Sequence, residues 1–274
     1  MTTIHRYIDE AGDTTFFGKG KENIIGQDGV SKSFLLGMVN VKGNAHLLRQ
    51  LISEQAIAIQ NNSYYNSVPS VQNRIKKYGK FIFHAKDDIP EIRKEFYDFI
   101  KGIDFTLQAI VGRKIMSLFI NKHNSKENIF YADLLSHLLK DKLNNTKLVL
   151  NIARRGSSTG KVNLRIALEK ARTRASQSPK YSQKPMDCTV AFNEQPYESD
   201  PIFSLADYSL WTVQRIVEKG ETRFYDYLQE KIRLVVDVYD YQDESKIIKR
   251  GKWYNYYDVN NPLTRENKIS LSNG

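Results

Sequence analysis

Cysteine is all but missing: Cys188 is the only one in 274 residues. That excludes an intramolecular disulfide and any cysteine-based zinc cluster, and it suits a reducing compartment. Cys188 has no obvious activating neighbour and reads as a core residue. Long apolar runs are missing as well. The greasiest stretch, Phe105–Ile120, is interrupted by Gln108, Arg113 and Lys114, so nothing reaches the roughly 18 apolar residues of a membrane-spanning helix. The chain meets Asp9, Glu10 and Asp13 before any apolar h-region, which speaks against a secretory signal. The five histidines, His5, His46, His84, His123 and His137, are scattered, with none at zinc-ligand spacing. Ser157 and Ser158 lack the Gly-x-Ser-x-Gly elbow of a serine hydrolase. The expectation is a cytoplasmic protein with no membrane partner. With 41% apolar and 11% aromatic residues, it has enough material for a packed core and is too sticky for a disordered chain.

Acid is in short supply where base is plentiful. The formal net charge is +10, and its placement matters more than its sum. Between Arg154 and Lys184 lie Arg154, Arg155, Lys161, Arg165, Lys170, Arg172, Arg174, Lys180 and Lys184, with Glu169 the one acid among them. A second run, Arg74, Lys76, Lys77, Lys80 and Lys86, meets no acid until Asp87. A third, Lys246, Lys249, Arg250 and Lys252, lies beside Trp253, Tyr254, Tyr256 and Tyr257. Clusters of this kind are what a polyanion binder needs, because each phosphate neutralised releases a counterion. The plainer reading is a solvated basic surface.

Hydrophobic periodicity alternates between strand and helix. Residues 4–9 read as a strand ending at the Ala11-Gly12 turn, and Phe34–Val41 as a second strand across a glycine-rich connection. Asn44 is placed to cap a helix carrying Leu47, Leu48, Leu51, Ile52 and Ile59. Residues 61–80 are polar and basic and read as an inserted loop. Then follow a helix over Pro90–Ile100, a strand over Phe105–Gly112, a helix over Glu127–Leu143 and a strand over Leu148–Ala153. A helix over Lys161–Ala175, a strand over Cys188–Phe192 and a long helix from Asp200-Pro201 to Gly220 complete the pattern. This interleaving predicts an α/β layer with a mixed sheet. One domain spans 1–274, with the insertion at 61–80 and a C-terminal extension from about 240.

Two groups of carboxylates stand out. Asp9, Glu10 and Asp13 lie at and just past the end of the first strand, where acids are poor β-formers. Late in the chain, Pro201–Gln214 contains a single charge, Asp207, among Leu205, Ala206, Tyr208, Leu210, Trp211 and Val213. A carboxylate on so apolar a helix needs a cation, a hydrogen-bond donor or a proton. Two acids on rigid elements can chelate Mg²⁺ or Mn²⁺ through hard oxygens, and such ions hydrolyse phosphodiesters. The competing reading is an acidic turn and an ion-paired or capped Asp207.

The motifs Tyr7-Ile8-Asp9-Glu10-Ala11-Gly12-Asp13, Phe83-His84-Ala85-Lys86-Asp87 and Leu205-Ala206-Asp207-Tyr208 resemble those of the family named domain of unknown function 3800. That family is taken to be RNase H-like, and the resemblance covers residues from about 4 to about 260. It implies an RNase H-like mixed sheet flanked by helices, and a nuclease-type site using Mg²⁺ or Mn²⁺. Asp9 and Asp207 would converge as metal ligands, Glu10 and Asp13 would assist, and His84 would handle a proton or contact phosphate. Strand alternation separates Asp9 from Glu10, which makes Glu10 the weaker direct ligand. The strand Leu148–Arg155 carries no acid where such sites usually have one. Either Glu10, Asp13 or Asp133 substitutes, or the chain is a non-catalytic nucleic-acid-binding module, acting through a protein partner or a second copy of itself. By analogy the resemblance suggests an anti-phage or mobile-element setting.

Gly156–Lys161 has the context of a phosphate loop but is one residue short, and Val162 stands where Ser or Thr would hold Mg²⁺. What survives is a set of phosphate contacts: Lys86, Arg154, Arg155, Lys161, Arg165 and Arg172. On the basic helix, Leu164, Ala167, Leu168, Ala171 and Ala175 should face the sheet. Arg165 and Arg172 would then share one exposed side, and Lys170 and Arg174 would form another row leading towards the metal site.

Overall fold

Alternation along β1 (Thr3–Gly12) sends Tyr7 and Asp9 to one face and Ile8 and Glu10 to the other. The computed structural model describes residues 3–143, 147–154, 160–177, 188–240 and 255–270. β2 (Ser33–Val41) and β3 (Phe105–Arg113) are buried over most of their length on both faces, which is why they read as continuous apolar runs. β4 (Lys147–Ala153), β5 (Thr189–Gln195), β6 (Ile232–Asp237) and the two-residue β7 (Tyr256–Tyr257) complete a seven-stranded sheet in the order β5-β4-β1-β2-β3-β6-β7. β1, β2 and β3 are antiparallel neighbours. β4 runs parallel to β1, β5 to β4, and β6 to β3, so the sheet is mixed.

Eight α-helices among the described residues cover the two faces. On the Tyr7 and Asp9 face lie α1 (Ala45–Asn61), α2 (Pro69–Tyr78), α3 (Pro90–Lys101), α7 (Phe203–Lys219) and α8 (Arg223–Leu228), sharing one apolar layer with Leu35, Val39, Leu107 and Val235. On the other lie α4 (Met116–His123), α5 (Glu127–Leu139) and α6 (Lys161–Ser176), packed with Ile8, Leu36, Leu150 and Ile152. β1 is an interior strand, and α7 lies across it and β2. Asn44 caps α1 by accepting the His46 and Leu47 N–H groups, as expected. Asp200 accepts the Ile202 N–H at 3.1 Å just before α7 begins.

Residues 61–80 are not a plain loop. Val71 and Arg74 of α2 are buried, and the Arg74 guanidinium forms a buried ion pair with Asp88. Pro69 at the first helical position and the single buried Val71 were too little apolar signal to outweigh the Asn, Ser and Lys around them. Arg74 is therefore a structural cation and not part of a free basic run. α4, α8, β6 and β7 were also unforeseen. β6 is six residues long and pairs with the distant β3, a contact that no local periodicity reveals. The third basic run, from Lys246 to Tyr254, lies outside the described residues. Cys188 is buried beside the α5–α6 layer, as its reading as a core residue required.

Gly37 of β2 faces Asp9 across the strand pair. A Cβ there would stand 3.1 Å from Leu210 Cδ1 and 3.2 Å from Leu107 Cδ1. α7 thus sits on the sheet at the place where a side chain is missing. Gly37→Val should lower stability by about 1–3 kcal/mol through overpacking. Urea denaturation checks this, and an unchanged midpoint would mean that α7 does not press on β2 there.

Candidate active site

Asp207 lies on the first turns of α7 and is 8% exposed. Its Oδ2 accepts the Ala85 N–H at 2.6 Å and lies 3.4 Å from the Tyr197 hydroxyl. That hydroxyl donates to the Phe83 carbonyl at 2.8 Å. The His84 N–H donates to Asp88 Oδ2 at 2.9 Å, and the same carboxylate takes hydrogen bonds from Tyr208 and Arg74. Residues 83–88 and the helix turn Asp207-Tyr208 are therefore locked together by carboxylates that gather backbone and side-chain donors. Motifs about 120 residues apart in sequence meet in space through these bonds.

The His84 ring is half-exposed, with its Nδ1 3.5 Å from Asp87 Oδ2 and its centroid 5.7 Å from the Tyr197 ring. Lys86 follows on the same turn and is exposed. Asp9 approaches from below. It is half-buried on the face that α7 covers, and Leu210, one turn on from Asp207, packs over its cross-strand partner Gly37. Burial drives the Tyr197 hydroxyl pKa well above its ordinary value, and the charges of Asp207 and then Asp9 push it further. Both carboxylates thus act on one hydroxyl.

Burial raises the Asp207 carboxyl above the usual aspartate range, while the His84 charge and the Ala85 N–H oppose that shift without cancelling it. A desolvated carboxylate beside a second one is suited to a hard cation. Mg²⁺ is commonly held by one or two carboxylates, keeping several waters and taking substrate phosphates as further ligands. Asp9 on β1 and Asp207 on α7, the helix packed across that strand, supply two such carboxylates. They do not make a preformed cage: among the described residues no group of three or more His, Cys, Asp or Glu side chains is gathered to hold a metal.

The other expected participants lie elsewhere. Glu10 is buried on the opposite face of the sheet, where burial and then its charge push the Tyr131 hydroxyl pKa of α5 up. Asp13 accepts Lys114 Nζ at 2.6 Å, the Thr15 N–H at 2.9 Å, and the Ser31 N–H and hydroxyl at 2.8 and 2.7 Å. Burial alone would raise its carboxyl, but the Lys114 and Ser31 hydrogen bonds outweigh that and hold it below the usual range. Both are structural carboxylates in this fold, since strand alternation takes Glu10 away and Asp13 has left the strand. Asp133 is not a substitute ligand either. It sits among cations under α6, across the sheet from Asp207.

β4 presents Asn151 and Ala153 to the Asp9 face, so no carboxylate arrives from it. The amide of Asn193 instead donates to Asn151 Oδ1 at 2.9 Å. Arg154 is exposed at the end of β4, and Arg155 with 156–159 lies outside the described residues. Lys161, Arg165 and Arg172 are exposed on α6, behind the sheet from Asp207. Leu164, Ala167, Ala171 and Ala175 are buried as the spacing requires and Leu168 is partly so. The basic rows of α6 therefore do not lead to the Asp9 and Asp207 pair. Lys170 and Arg174 are not a free row either, because both are ion-paired to Asp133.

Sequence reasoning missed Asp88 and Tyr197. Asp88 had a signal, a second acid directly after the Lys86-Asp87 pair. Tyr197 had none, because a lone tyrosine in the polar turn Tyr197–Ser199 looks like a surface residue. Comparison of this chain with known families, with curated proteins and with solved structures finds no match.

The raised Asp207 pKa has a measurable sign. An unfolded aspartate titrates near 3.9, and folding moves Asp207 higher. Between those two values the folded chain holds the extra proton, so stability falls as pH rises through that window and stays lower above it. Asp207→Asn should therefore be more stable than the wild type at neutral pH. The gap should shrink as pH drops towards the ordinary aspartate range. Thermal or urea melts across pH check both, and a less stable D207N at neutral pH would contradict the assignment.

Proposed function

We propose that this chain is a nuclease of RNase H-like architecture that hydrolyses phosphodiester bonds in DNA or RNA with Mg²⁺ or Mn²⁺. The observation that carries the reading is the arrival of Asp9 and Asp207 from opposite ends of the chain on one side of the sheet, where both charges act on Tyr197. Support comes from the mixed sheet with the Asp9 strand inside it and the Asp207 helix across it. That is the arrangement implied by the resemblance to the domain of unknown function 3800 family.

Asp9 and Asp207 would hold the cation. Bound there, it would supply Lewis-acid polarisation of the phosphoryl oxygen and a water of lowered pKa. The Ala85 N–H holds Asp207 Oδ2, and the other oxygen would be the one to take the cation. His84, half-exposed on the turn held to Asp207 and with its Nδ1 3.5 Å from Asp87 Oδ2, would take or give a proton at the attacking or leaving oxygen. Lys86 on the same turn offers a charge to a neighbouring phosphate.

A second reading is favoured by one observation. β4 brings Asn151 and Ala153, and no carboxylate, to the site face, which fits a module that binds nucleic acid without cutting it. Labelled single- and double-stranded DNA and RNA incubated with Mn²⁺ or EDTA separate the two. Nuclease function predicts cleavage that needs the ion and disappears in Asp9→Asn and Asp207→Asn. His84→Ala should lose about 10²–10⁴-fold, the usual worth of a general acid or base. Binding without cleavage of every substrate would decide for the second reading.

A further inference from the structure

Across the sheet from Asp207, three cations converge on one buried acid. Asp133 of α5 is 1% exposed. Its carboxylate meets Arg174 Nη2 at 2.7 Å and Lys170 Nζ at 3.6 Å from α6, and Lys122 Nζ at 2.9 Å from α4. The Tyr239 hydroxyl donates to it at 2.5 Å, and His123 Nε2 lies 3.6 Å away. Burial would raise this carboxyl, yet the His123, Tyr239 and Lys122 contacts hold it far below the usual range. It is ionised at any pH the protein meets.

One carboxylate has room for about four donors, and Arg174, Tyr239 and Lys122 already take three of the places on Asp133. Two lysines and an arginine carry more N–H groups than it can accept, although Arg174 gives one to Ser136. Three permanent cations against one anion also leave a surplus of about two positive charges. All three cations keep a foot in solvent, with side chains 36%, 34% and 23% exposed for Lys122, Lys170 and Arg174. The field they set up extends to His137, whose pKa falls to about 3 through burial and then the charge of Arg174, with Lys140 and Lys122 adding to it. If Asp133 were there only to pin α5 to α6, Arg174 alone would suffice. Two further lysines held at the same carboxylate raise the local charge without adding a needed crosslink.

We propose that Lys122, Lys170 and Arg174, held in place by Asp133, form a phosphate-binding site at the junction of α4, α5 and α6. The anion completes the donors left over by Asp133 and offsets the surplus charge. Because the cations are already fixed by the carboxylate, little side-chain entropy is given up on binding. The phosphate belongs either to a nucleic-acid backbone or to a small phosphorylated molecule. The site does not rest on the nuclease reading, since it shares no residue with the Asp9 and Asp207 pair and lies on the other side of the sheet.

The test compares wild type with Lys122→Gln/Lys170→Gln, which leaves Arg174, Tyr239 and His123 on Asp133. Pyrophosphate binding is followed by calorimetry. Binding of labelled single- and double-stranded DNA is followed by anisotropy over a salt series, in EDTA so that cleavage plays no part. The double variant should weaken pyrophosphate at least about tenfold, or flatten the DNA salt slope by about 0.9 for each phosphate it no longer neutralises. Weakening with pyrophosphate alone identifies a small phosphate as the ligand, and a flattened DNA slope identifies the backbone. If the variant does not fold, acetylation of the wild type gives the same answer: Lys122 and Lys170 should be protected by pyrophosphate or by DNA. Unchanged binding in a folded variant, or no protection in the wild type, overturns the proposal.

Discussion

A carboxylate taken out of water needs hydrogen bonds in exchange, and Asp207 receives its principal one from the backbone N–H of Ala85. That bond decides where residues 83–88 lie. Once Ala85 is tied to α7, the His84 N–H and the Arg74 guanidinium reach Asp88, and Tyr208 closes the group from the helix. The turn that carries His84 and Lys86 is thereby fixed against the first turns of α7. Asp207 and Asp88 accept the adjacent N–H groups of Ala85 and His84. Burial raises both carboxyls above the usual aspartate range, and Asp88 has the larger set of hydrogen-bonding partners. Groups whose ionisation the fold opposes are where catalytic sites tend to form.

The two sides of the sheet handle charge in opposite ways. The α7 side holds acids with few compensating cations near Asp207, an arrangement that attracts a metal ion. On the α5–α6 side Asp133 is surrounded by three cations, the arrangement on which the proposed phosphate site rests. The Lys170 and Arg174 row of α6 is paired with Asp133 on the side of the sheet away from Asp207.

Much of the scaffold was legible in the residues. Ile4 to Asp9 gave β1, the run Phe34–Val41 gave β2, and Asn44 capped α1, because each is a local pattern with a local cause. The lone Asp207 on an apolar helix was legible for the same reason, since a buried charge contradicts its surroundings. What stayed hidden depends on contacts between distant segments. α2 is a helix because Arg74 finds Asp88, and β6 is a strand because β3 offers an edge. Tyr197 joins the site only because Phe83 and Asp207 come to it. Glu10 and Asp13 were acids in the right neighbourhood of the sequence, but strand alternation turned one away and Lys114 captured the other.

Binding of Mn²⁺ followed by electron paramagnetic resonance tests the central claim most directly, because it reads the ion and not the reaction. A saturable site should be present in the wild type and in Asp13→Asn and Asp133→Asn, whose carboxylates are committed to lysine and arginine. It should be abolished or weakened at least about tenfold in Asp9→Asn and in Asp207→Asn, each of which removes a charged ligand. Equal Mn²⁺ affinity in wild type, D9N and D207N would contradict the account.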